Sequence, residues 1–469
     1  MKIISIIRNI VGNENIKFTE KKDFYSSDWT GQYLSSPLIV VKPSSTMEVS
    51  KVVEACYQND IPIVPISGNT GLSGGTSANH SVVISLERLN KIKDIKVSSR
   101  IAIVQAGVIL SDLHKTLEGL DLVFPLTFGA KSSAMIGGCL STNAGGSNVL
   151  KYGNTRTLCI GLEVVLPNGQ VMNLMNELHK DNTGYDLKNL IIGAEGTLGI
   201  ITAAVLKLSP KPILYATAML APRTLDIALK VLNLLQERTG QSVEAFEYMP
   251  KEYIRAHLEK ISGARTPFEK QYDINIMVEV GTTIPSQGSI LDSGENQLVQ
   301  NLEGVLFELM ESGDILDAVI AKSEAERFEM WERREASAEI TITNEPLIIT
   351  DIAVPLDKIS LFLKKIDKEI IGIDANARNL TVAHLGDGNI HYAIYPSRKD
   401  EDLFDRINNR LEETVQTFGG SFSAEHGIGL SKKKSMERRK DPISLKVMKL
   451  IKNTLDPKNI MNPGKVLPD

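Results

Sequence analysis

The sequence predicts an α+β fold in two or three domains, and three observations carry this prediction. The chain has 469 residues, more than one ordinary core holds, and 42% of them are hydrophobic. A strand–helix–strand pattern opens the first half, within residues 37–66. After Pro210 and Pro212 the composition changes from glycine-rich segments to charged segments with helical spacing. A domain boundary is therefore expected near residue 212.

The first elements follow from hydrophobic spacing. Residues 38–41 and 61–66 are apolar runs of strand length, and between them Val49, Val52, Val53 and Cys56 recur at helical spacing. A loop at 67–77 follows, with four glycines among small polar residues. Its uncovered backbone N–H groups suit an anion, although a lone loop of this kind is usually only a turn. It lacks both the Gly-Lys-Ser/Thr of a P-loop and the spacing of a nicotinamide site.

Two further glycine-rich blocks occur at 136–146 and 193–201, with strand-like runs at 162–166 and 200–208. Beyond the boundary, helical spacing occurs at 225–236 and 323–334, and the last predicted helix covers 444–455. Three separate glycine blocks are harder to dismiss as turns than one. A long cofactor lying against backbone requires several such close approaches.

Bulk composition limits the partners and the compartment. The net charge of −5 disfavours nonspecific binding to nucleic acid or to an anionic membrane, although it leaves room for a local basic patch. No apolar run has the roughly 18 residues of a spanning helix. Arg8 interrupts the apolar N-terminal run, so a secretion signal is not expected. Cys56, Cys139 and Cys159 have no CxxC spacing, which fits a reducing compartment. We expect a soluble, cytoplasmic protein.

Residues 383–391 read as a β-hairpin that carries two histidines. Asp387-Gly388 suits a two-residue turn with positive φ at both positions. Counting outward, His384 faces His391 across the strands, with Cβ atoms about 5 Å apart. A transition metal can bridge that separation, whereas ordinary hydrogen bonding of both rings is the plainer alternative. Together with Glu425, the two histidines alone would also permit a metal hydrolase.

Longer motifs carry a resemblance to a known family. They are Gly68-Asn69-Thr70-Gly71, Ile136-Gly137-Gly138 with residues 142–146, and the segments 180–187 and 193–201. Together they resemble the flavin-dependent D-2-hydroxyacid dehydrogenases of the vanillyl-alcohol-oxidase type, which include D-lactate, glycolate and D-2-hydroxyglutarate dehydrogenases. The resemblance extends from Asp28-Trp29 to Asn462-Pro463.

The resemblance implies the domain plan and the cofactor. It implies a PCMH-type FAD-binding domain of two α+β subdomains at 1–212, with its core at about 36–212. An α+β cap with an antiparallel sheet is expected at 213–422, and residues 423–469 return to the first domain. The residues implied to line FAD are Pro65, Gly68, Asn69, Thr70, Gly71, Gly74, Gly75, Gly138, Thr142, Ala144, Gly145, Glu195, Gly199, Ile200 and Asn462. Several relatives attach FAD through a histidine in the first loop, where this chain has Asn69-Thr70, so noncovalent FAD is expected.

The resemblance also assigns metal and catalytic residues. It implies that His384, His391 and Glu425 hold a divalent metal, usually zinc with manganese as the alternative, and that His426 is the general base. Glu425 and His426 can serve one site only if their backbone departs from a regular strand. Arg334 corresponds to the arginine that binds the substrate carboxylate. By spacing alone, Arg333 and Arg334 are more typical of a solvated helix face.

Three positions depart from the D-2-hydroxyglutarate enzymes. Those enzymes have threonine, lysine and asparagine where this chain has Ala338, Ile349 and Ala393, which favours a smaller or more apolar D-2-hydroxyacid. D-2-hydroxyglutarate itself stays an alternative, as does an oxidase using oxygen or a noncatalytic descendant of the fold. The expected electron acceptor is a quinone or an electron-transfer flavoprotein, and a homodimer is one expected state.

A basic cluster comes late in the chain, with Lys432-Lys433-Lys434 followed by Arg438-Arg439-Lys440. Such clusters are usually solvated faces. The alternative is docking of an acidic electron acceptor or of a membrane surface, which would make the protein peripheral at the inner membrane.

Overall fold

The computed structural model describes residues 2–20, 23–289, 296–343 and 345–469. Its helices are α1 (Lys2–Val11), α2 (Thr46–Gln58), α3 (Leu110–Leu117), α4 (Ile136–Thr142), α5 (Val149–Tyr152), α6 (Thr155–Leu158), α7 (Leu187–Ile191), α8 (Leu225–Arg238), α9 (Lys251–Lys260), α10 (Gln297–Glu311), α11 (Glu324–Glu335), α12 (Ser337–Thr341), α13 (Ile359–Ile373), α14 (Glu401–Thr417), α15 (Lys433–Arg439) and α16 (Pro442–Leu455).

The strands form mainly antiparallel sheets. They are β1 (Ile16–Lys17), β2 (Ile39–Val41), β3 (Ile63–Ile66), β4 (Val82–Ser85), β5 (Ile92–Lys96), β6 (Ile101–Gln105), β7 (Leu122–Val123), β8 (Cys159–Val165), β9 (Val171–Leu174), β10 (Ile200–Lys207), β11 (Ser209–Pro210), β12 (Leu214–Pro222), β13 (Val243–Pro250), β14 (Ile274–Thr282), β15 (Ile315–Ile320), β16 (Ile348–Ala353), β17 (Arg378–His384) and β18 (Asn389–Tyr395). Helices mixed with such sheets confirm the predicted α+β class.

Internal contacts divide the chain into two units. Unit 1 contains residues 1–145, 153–210 and 425–469, and unit 2 contains residues 146–152 and 211–424. The short segment 146–152, which carries α5, lies in unit 2, although the residues before and after it belong to unit 1. No pattern in the sequence predicted this.

The predicted strand–helix–strand opening is present in unit 1. Strands β2 and β3 both run parallel to β4, which lies between them. Parallel strands need a crossover, and α2 provides it, with Ser45 Oγ capping its start by accepting from Glu48 N. The C-terminal segment runs beside β3, where Ile63 N donates to Ile460 O and Asn462 N donates to Ile63 O, each at 2.7 Å.

The second sheet of unit 1 has the order β5-β6-β10-β8-β9 and is antiparallel. Glycine lets α4 approach this sheet closely, because a Cβ on Gly137 would lie 2.7 Å from Ala106 Cβ. The third glycine block leads directly into β10, whose residues Ile200 to Leu206 are buried.

Unit 2 is built on one antiparallel sheet of order β15-β12-β14-β13-β17-β18-β16. Alternate residues face opposite sides of this sheet. Ile276 and Val278 of β14 join a core with α8, α10, α13 and α14, whereas Met277 joins a smaller core with α9 and α11. The second face carries the candidate site residues of this unit.

The hairpin register differs from the prediction. His384 pairs with Asn389 and Val382 pairs with His391, so His384 and His391 are not directly opposite. The loop holds four residues, 385–388, because the N–H groups of Asp387 and Gly388 both turn back to His384 O. Gly388 has φ +86°, whereas Asp387 is not among the described residues with positive φ. A shift by two residues keeps both histidines on one face, with ring centroids 5.3 Å apart.

Among the described residues, no helix is long and apolar enough to cross a membrane.

Candidate functional site

The first glycine-rich loop leaves its backbone donors unused. Within the described residues, no protein group accepts a hydrogen bond from the backbone N–H groups of 68–75. Buried or half-buried N–H groups are normally paired, so a run of eight such groups is suited to solvent or a bound anion. A Cβ on Gly71 would meet no heavy atom within 4 Å, which leaves room beside the loop.

The loop is shaped by its own polar residues. Asn69 has φ +49°, and its side-chain amide donates to Phe24 O and Ser27 O while its carbonyl oxygen accepts from Thr76 Oγ1. The hydrogen bonds of the Asn69 side chain are thus made inside the protein. A Cβ on Gly68 would lie 2.2 Å from Ser133 O, so only glycine allows the first loop to approach the backbone just before the second glycine block.

The other predicted FAD residues also fall in unit 1. Gly138 packs beside Ser67, and Thr142 Oγ1 donates to Gly138 O at 3.1 Å. A Cβ on Gly196 would lie 2.6 Å from Pro65 Cγ, which ties the third block to β3. Asn462 Nδ2 donates to Gly75 O at 3.0 Å. Gly199 and Ile200 instead belong to the packing of β8 and β10, and Ala144 O accepts from Thr155.

The segment 425–430 is held by all three glycine blocks within unit 1. Ser73 of the first block donates from Oγ to His426 O at 3.0 Å, and its carbonyl accepts from Leu430 N. In the second block, a Cβ on Gly145 would lie 2.2 Å from Glu425 Oε1. The segment is irregular rather than a strand, with φ +74° at Gly427. The departure from regular strand geometry that Glu425 and His426 require is therefore present.

Glu195 of the third block anchors the end of this segment. Its carboxylate accepts from Ile428 N at 2.7 Å and from Gly429 N at 2.8 Å. Burial raises the pKa of Glu195 above its usual value, and the two backbone donors oppose that rise. The Glu195 carboxylate thus positions the backbone that follows His426.

In unit 2, a buried carboxylate joins two predicted site residues. Glu247 Oε2 accepts from Arg334 Nε at 2.7 Å, and Glu247 Oε1 lies 2.8 Å from His384 Nδ1. Burial acts to raise the pKa of Glu247, but His384 and Arg334 outweigh it, and the pKa lies below its usual value. Glu247 was not predicted, although a glutamate within the apolar strand β13 was an available signal.

The second histidine also lies near a carboxylate. His391 pairs with Asp351 in the register of β16 and β18, and its Nδ1 lies 3.7 Å from Asp351 Oδ1. Ala424 N donates to Asp351 at 3.2 Å, and Glu425 is the next residue in the chain. A carboxylate on the Nδ1 side orients the ring, which is the usual arrangement around a metal-binding histidine. Nε2 of His384 also lies 3.5 Å from Arg334 Nη2. Histidine and carboxylate are residue types that a divalent ion can bind.

The two arginines of α11 do not form a solvated face. Arg333 and Arg334 are only 3% and 5% exposed, so the interpretation from spacing alone was wrong. Helix α11 packs on the second face of the sheet, and both guanidinium groups point inward because Glu247 and Arg265 O accept from them. Arg334, His384 and His391 thus lie in unit 2, whereas Glu425, His426 and the predicted FAD residues lie in unit 1.

The fold matches those of solved flavoenzymes. p-Cresol methylhydroxylase with substrate bound has a TM-score of 0.75 at 18% identity, over 100% of this chain and 96% of that chain. 4-Ethylphenol oxidase from Gulosibacter chungangensis has a TM-score of 0.71 at 17% identity, over 100% and 97%. At these identities the likeness concerns the fold alone, and it confirms the predicted PCMH-type FAD-binding architecture.

Sequence comparison gives the family. The FAD binding domain matches residues 37–175, and the C-terminal domain of FAD linked oxidases matches residues 212–466. The mitochondrial D-2-hydroxyglutarate dehydrogenase of Arabidopsis thaliana is 33% identical over 469 residues, covering 100% of this chain and 82% of that protein. D-2-hydroxyglutarate dehydrogenase of Xanthomonas citri pv. viticola is 34% identical over 96% of this chain and 93% of its own.

The chain therefore belongs to the FAD-linked oxidases. Within them, the resemblance to the D-2-hydroxyacid dehydrogenases is confirmed, and the protein is an FAD-linked oxidoreductase that acts on CH–OH groups.

Proposed function

We propose that this protein oxidises a D-2-hydroxyacid to the 2-oxoacid. The observation that carries the proposal is the buried group formed by Arg334, Glu247 and His384 on the sheet face that also bears His391. A guanidinium held by one carboxylate keeps donors for the carboxylate of a substrate. Imidazole groups beside it suit the hydroxyl end of the same molecule.

The proposed cofactor is noncovalent FAD, which supplies N5 as the acceptor of the C2 hydride. The unused N–H groups of 68–75 would hold its pyrophosphate. Asn462 lies beside them, since its Nδ2 donates to Gly75 O. Asn69 stands where a covalent attachment would need a nucleophile, and its amide is already engaged. Acid precipitation should release the yellow colour into the supernatant.

We further propose that His384, His391 and Glu425 hold a divalent ion, with zinc as the proposed metal, which would supply a Lewis acid for the substrate hydroxyl. Support comes from the carboxylates on the Nδ1 side of both rings, Glu247 and Asp351. His426 would take the proton of the C2 hydroxyl. The carbonyl of His426 accepts a hydrogen bond from Ser73 Oγ, and Ile428 N donates to Glu195. These bonds hold the backbone on both sides of the His426 imidazole.

The proposed substrate is a small or apolar D-2-hydroxyacid. Ala393 lies two residues beyond His391 on the same face, with Ile349 and Leu380 as its cross-strand partners. These three side chains offer no donor to a second carboxylate. D-2-Hydroxyglutarate is the second candidate, because the relatives from Arabidopsis thaliana and Xanthomonas citri pv. viticola carry that name.

Reduced flavin must be reoxidised, and we propose a quinone or an electron-transfer flavoprotein as the electron acceptor. We also propose that the enzyme is cytoplasmic and that it forms a homodimer. Stoichiometric hydrogen peroxide would instead identify an oxidase.

The deciding experiment is anaerobic bleaching of the flavin band by a panel of D- and L-2-hydroxyacids, with and without chelator. We expect bleaching by D isomers, loss of bleaching after chelation and recovery with zinc. Bleaching by L isomers alone, or by no 2-hydroxyacid at all, would refute the proposal, and bleaching that survives metal removal would refute the metal.

A further inference from the structure

Helix α16 exposes three apolar side chains to solvent and buries a lysine. Lys452 is 8% exposed, and its Nζ donates to Thr197 O at 2.9 Å and Met461 O at 2.7 Å and pairs with Asp456. Ile443, Val447 and Leu450 are 69%, 48% and 56% exposed. The other apolar side chains of the helix are half-buried, as on an ordinary surface helix, namely Leu445, Met448, Ile451 and Leu455. The exposed apolar residues are therefore a second apolar face of α16.

The exposed apolar residues form one continuous stripe. Positions 443, 447 and 450 are spaced i, i+4 and i+7, so the three side chains lie along one face of α16. We refer to Ile443, Val447 and Leu450 as the α16 stripe. Lys446 is exposed and flanks the stripe, one turn from both Ile443 and Leu450.

The surroundings of the stripe are basic. Residues 432–458 contain ten Lys or Arg against three Asp or Glu, in a chain whose net charge is −5. Asp469 offsets part of this charge, since it accepts from Lys433 through its side chain and from Lys449 through its backbone oxygen. Lys434 and Lys446 are exposed, and Lys440, which lies between α15 and α16 in the chain, is half-buried. An anionic counterpart would complement it.

We propose that the α16 stripe docks on an anionic lipid surface. A helix with an apolar face and lysines beside it lies in the interface plane, with its apolar side chains about 5–10 Å into the headgroup boundary. Each Lys or Arg near an anionic surface adds to this attraction. Apolar and basic groups occur here on one surface of unit 1, and an anionic membrane offers partners for both. The proposal does not depend on the proposed reaction.

A second copy of the chain fits this surface less well. Two-fold pairing through α16 would bring Lys446 of both copies together in an interface of like charge. Three apolar side chains also fall far short of the roughly 800 Å² per partner that a stable interface buries. An acidic protein would satisfy the lysines but would not need a continuous apolar stripe on one helix.

The test is flotation of the full-length, FAD-loaded protein with vesicles of phosphatidylcholine alone or mixed with phosphatidylglycerol. We expect binding only to the mixed vesicles, with loss in high salt. Ile443→Ser with Leu450→Ser should weaken that binding at least tenfold, and so should Lys446→Glu. The matched control is Phe307→Ser with Phe328→Ser, two side chains 64% and 56% exposed in unit 2, which should bind like the wild type. Flavin content and thermal midpoint check that each variant is folded.

Three results would overturn the proposal. The first is equal binding to both kinds of vesicle, and the second is unchanged binding by the stripe variant. The third is a wild-type dimer that ignores anionic vesicles and dissociates in the stripe variant, which would make a second copy the occupant.

Discussion

Glu247 lies between Arg334 and His384, within 2.7 Å of the guanidinium Nε and 2.8 Å of the imidazole Nδ1. One carboxylate thereby orients a candidate carboxylate-binding group and a candidate metal ligand. Both partners are polar and buried, so their side-chain positions depend on this acid.

Glu247→Gln should weaken metal retention by about 10- to 100-fold, because the amide no longer holds the His384 ring as a carboxylate does. Removing a buried charge from its pair should also cost about 3–5 kcal/mol of unfolding free energy. FAD content should stay normal, since the unpaired N–H groups of 68–75 are in the other unit. Metal titration and flavin absorbance measure these effects separately.

Glu244→Gln is the matched control for this variant. Glu244 is a buried carboxylate in the same strand that pairs with Lys151 Nζ and Tyr152 OH, each at 2.9 Å. It should lose stability without loss of metal affinity. Equal metal affinities for Glu247→Gln and Glu244→Gln would refute the role of Glu247 in holding the metal ligand His384.

His426→Ala should retain FAD and metal while turnover falls by about 10²- to 10⁴-fold, the usual contribution of a general base. Ser73 Oγ donates to the carbonyl of His426, and alanine keeps that carbonyl. The rate of anaerobic flavin reduction is the measurement. Near-normal reduction would refute the role of His426.

Gly71→Ala should weaken FAD binding without lowering the thermal midpoint of the flavin-free protein. A Cβ at Gly71 meets no heavy atom within 4 Å, so the methyl group costs the protein nothing but occupies the space beside the unused N–H groups. Gly119→Ala, equally unobstructed, is the control. Flavin titration by fluorescence compares them, and equal affinities would place the pyrophosphate elsewhere.

Ile349→Lys should raise kcat/KM for D-2-hydroxyglutarate relative to D-lactate. The new ammonium would lie on the face of Ala393 and His391, where a second substrate carboxylate lacks a donor. Ile349 is 46% exposed, so the charge is tolerated. Ile371→Lys, at a site 55% exposed on α13, adds the same charge off this face and should leave the ratio unchanged. An equal rise of the kcat/KM ratio in Ile349→Lys and Ile371→Lys would show that added net charge, and not the position of Ile349, causes the change.

Stability should fall between about pH 9 and pH 12 because of three buried thiols. Burial raises the pKa of Cys56, Cys139 and Cys159 from an ordinary value of 9.0 to about 12. In this window the unfolded thiols lose protons that the folded protein keeps, so the unfolding free energy decreases as pH rises. Cys56→Ala should reduce the slope by about 1.4 kcal/mol per pH unit.

Urea unfolding under reducing conditions across this pH range gives the slope. The control is Val53→Ala, at a fully buried position of α2, the helix that carries Cys56. It should lower the unfolding free energy without changing the slope of that free energy against pH. An unchanged slope in Cys56→Ala would show that this thiol ionises as readily in the folded protein as in the unfolded chain, which would contradict the prediction.

The hairpin shows how far local sequence patterns reach. Asp387-Gly388 correctly marked the turn, and the shared face of His384 and His391 was correct because a two-residue shift conserves it. The register was wrong, since both turn N–H groups bond to His384 O in a longer loop. Several turn types have similar energies, and the packing of the whole strands selects one of them. A local sequence pattern carries no information about that packing.

The sequence by itself determined the three glycine blocks and the histidine pair, because these depend on residue types at short spacing. The cofactor class followed from the family resemblance that the glycine blocks carry. Only the tertiary structure decided that Glu247 holds Arg334 and His384, across 87 and 137 residues of chain. It likewise decided that Arg334 is buried and that α16 turns its apolar stripe outward. Burial is a property of what packs over a side chain, and elements distant in sequence supply that packing.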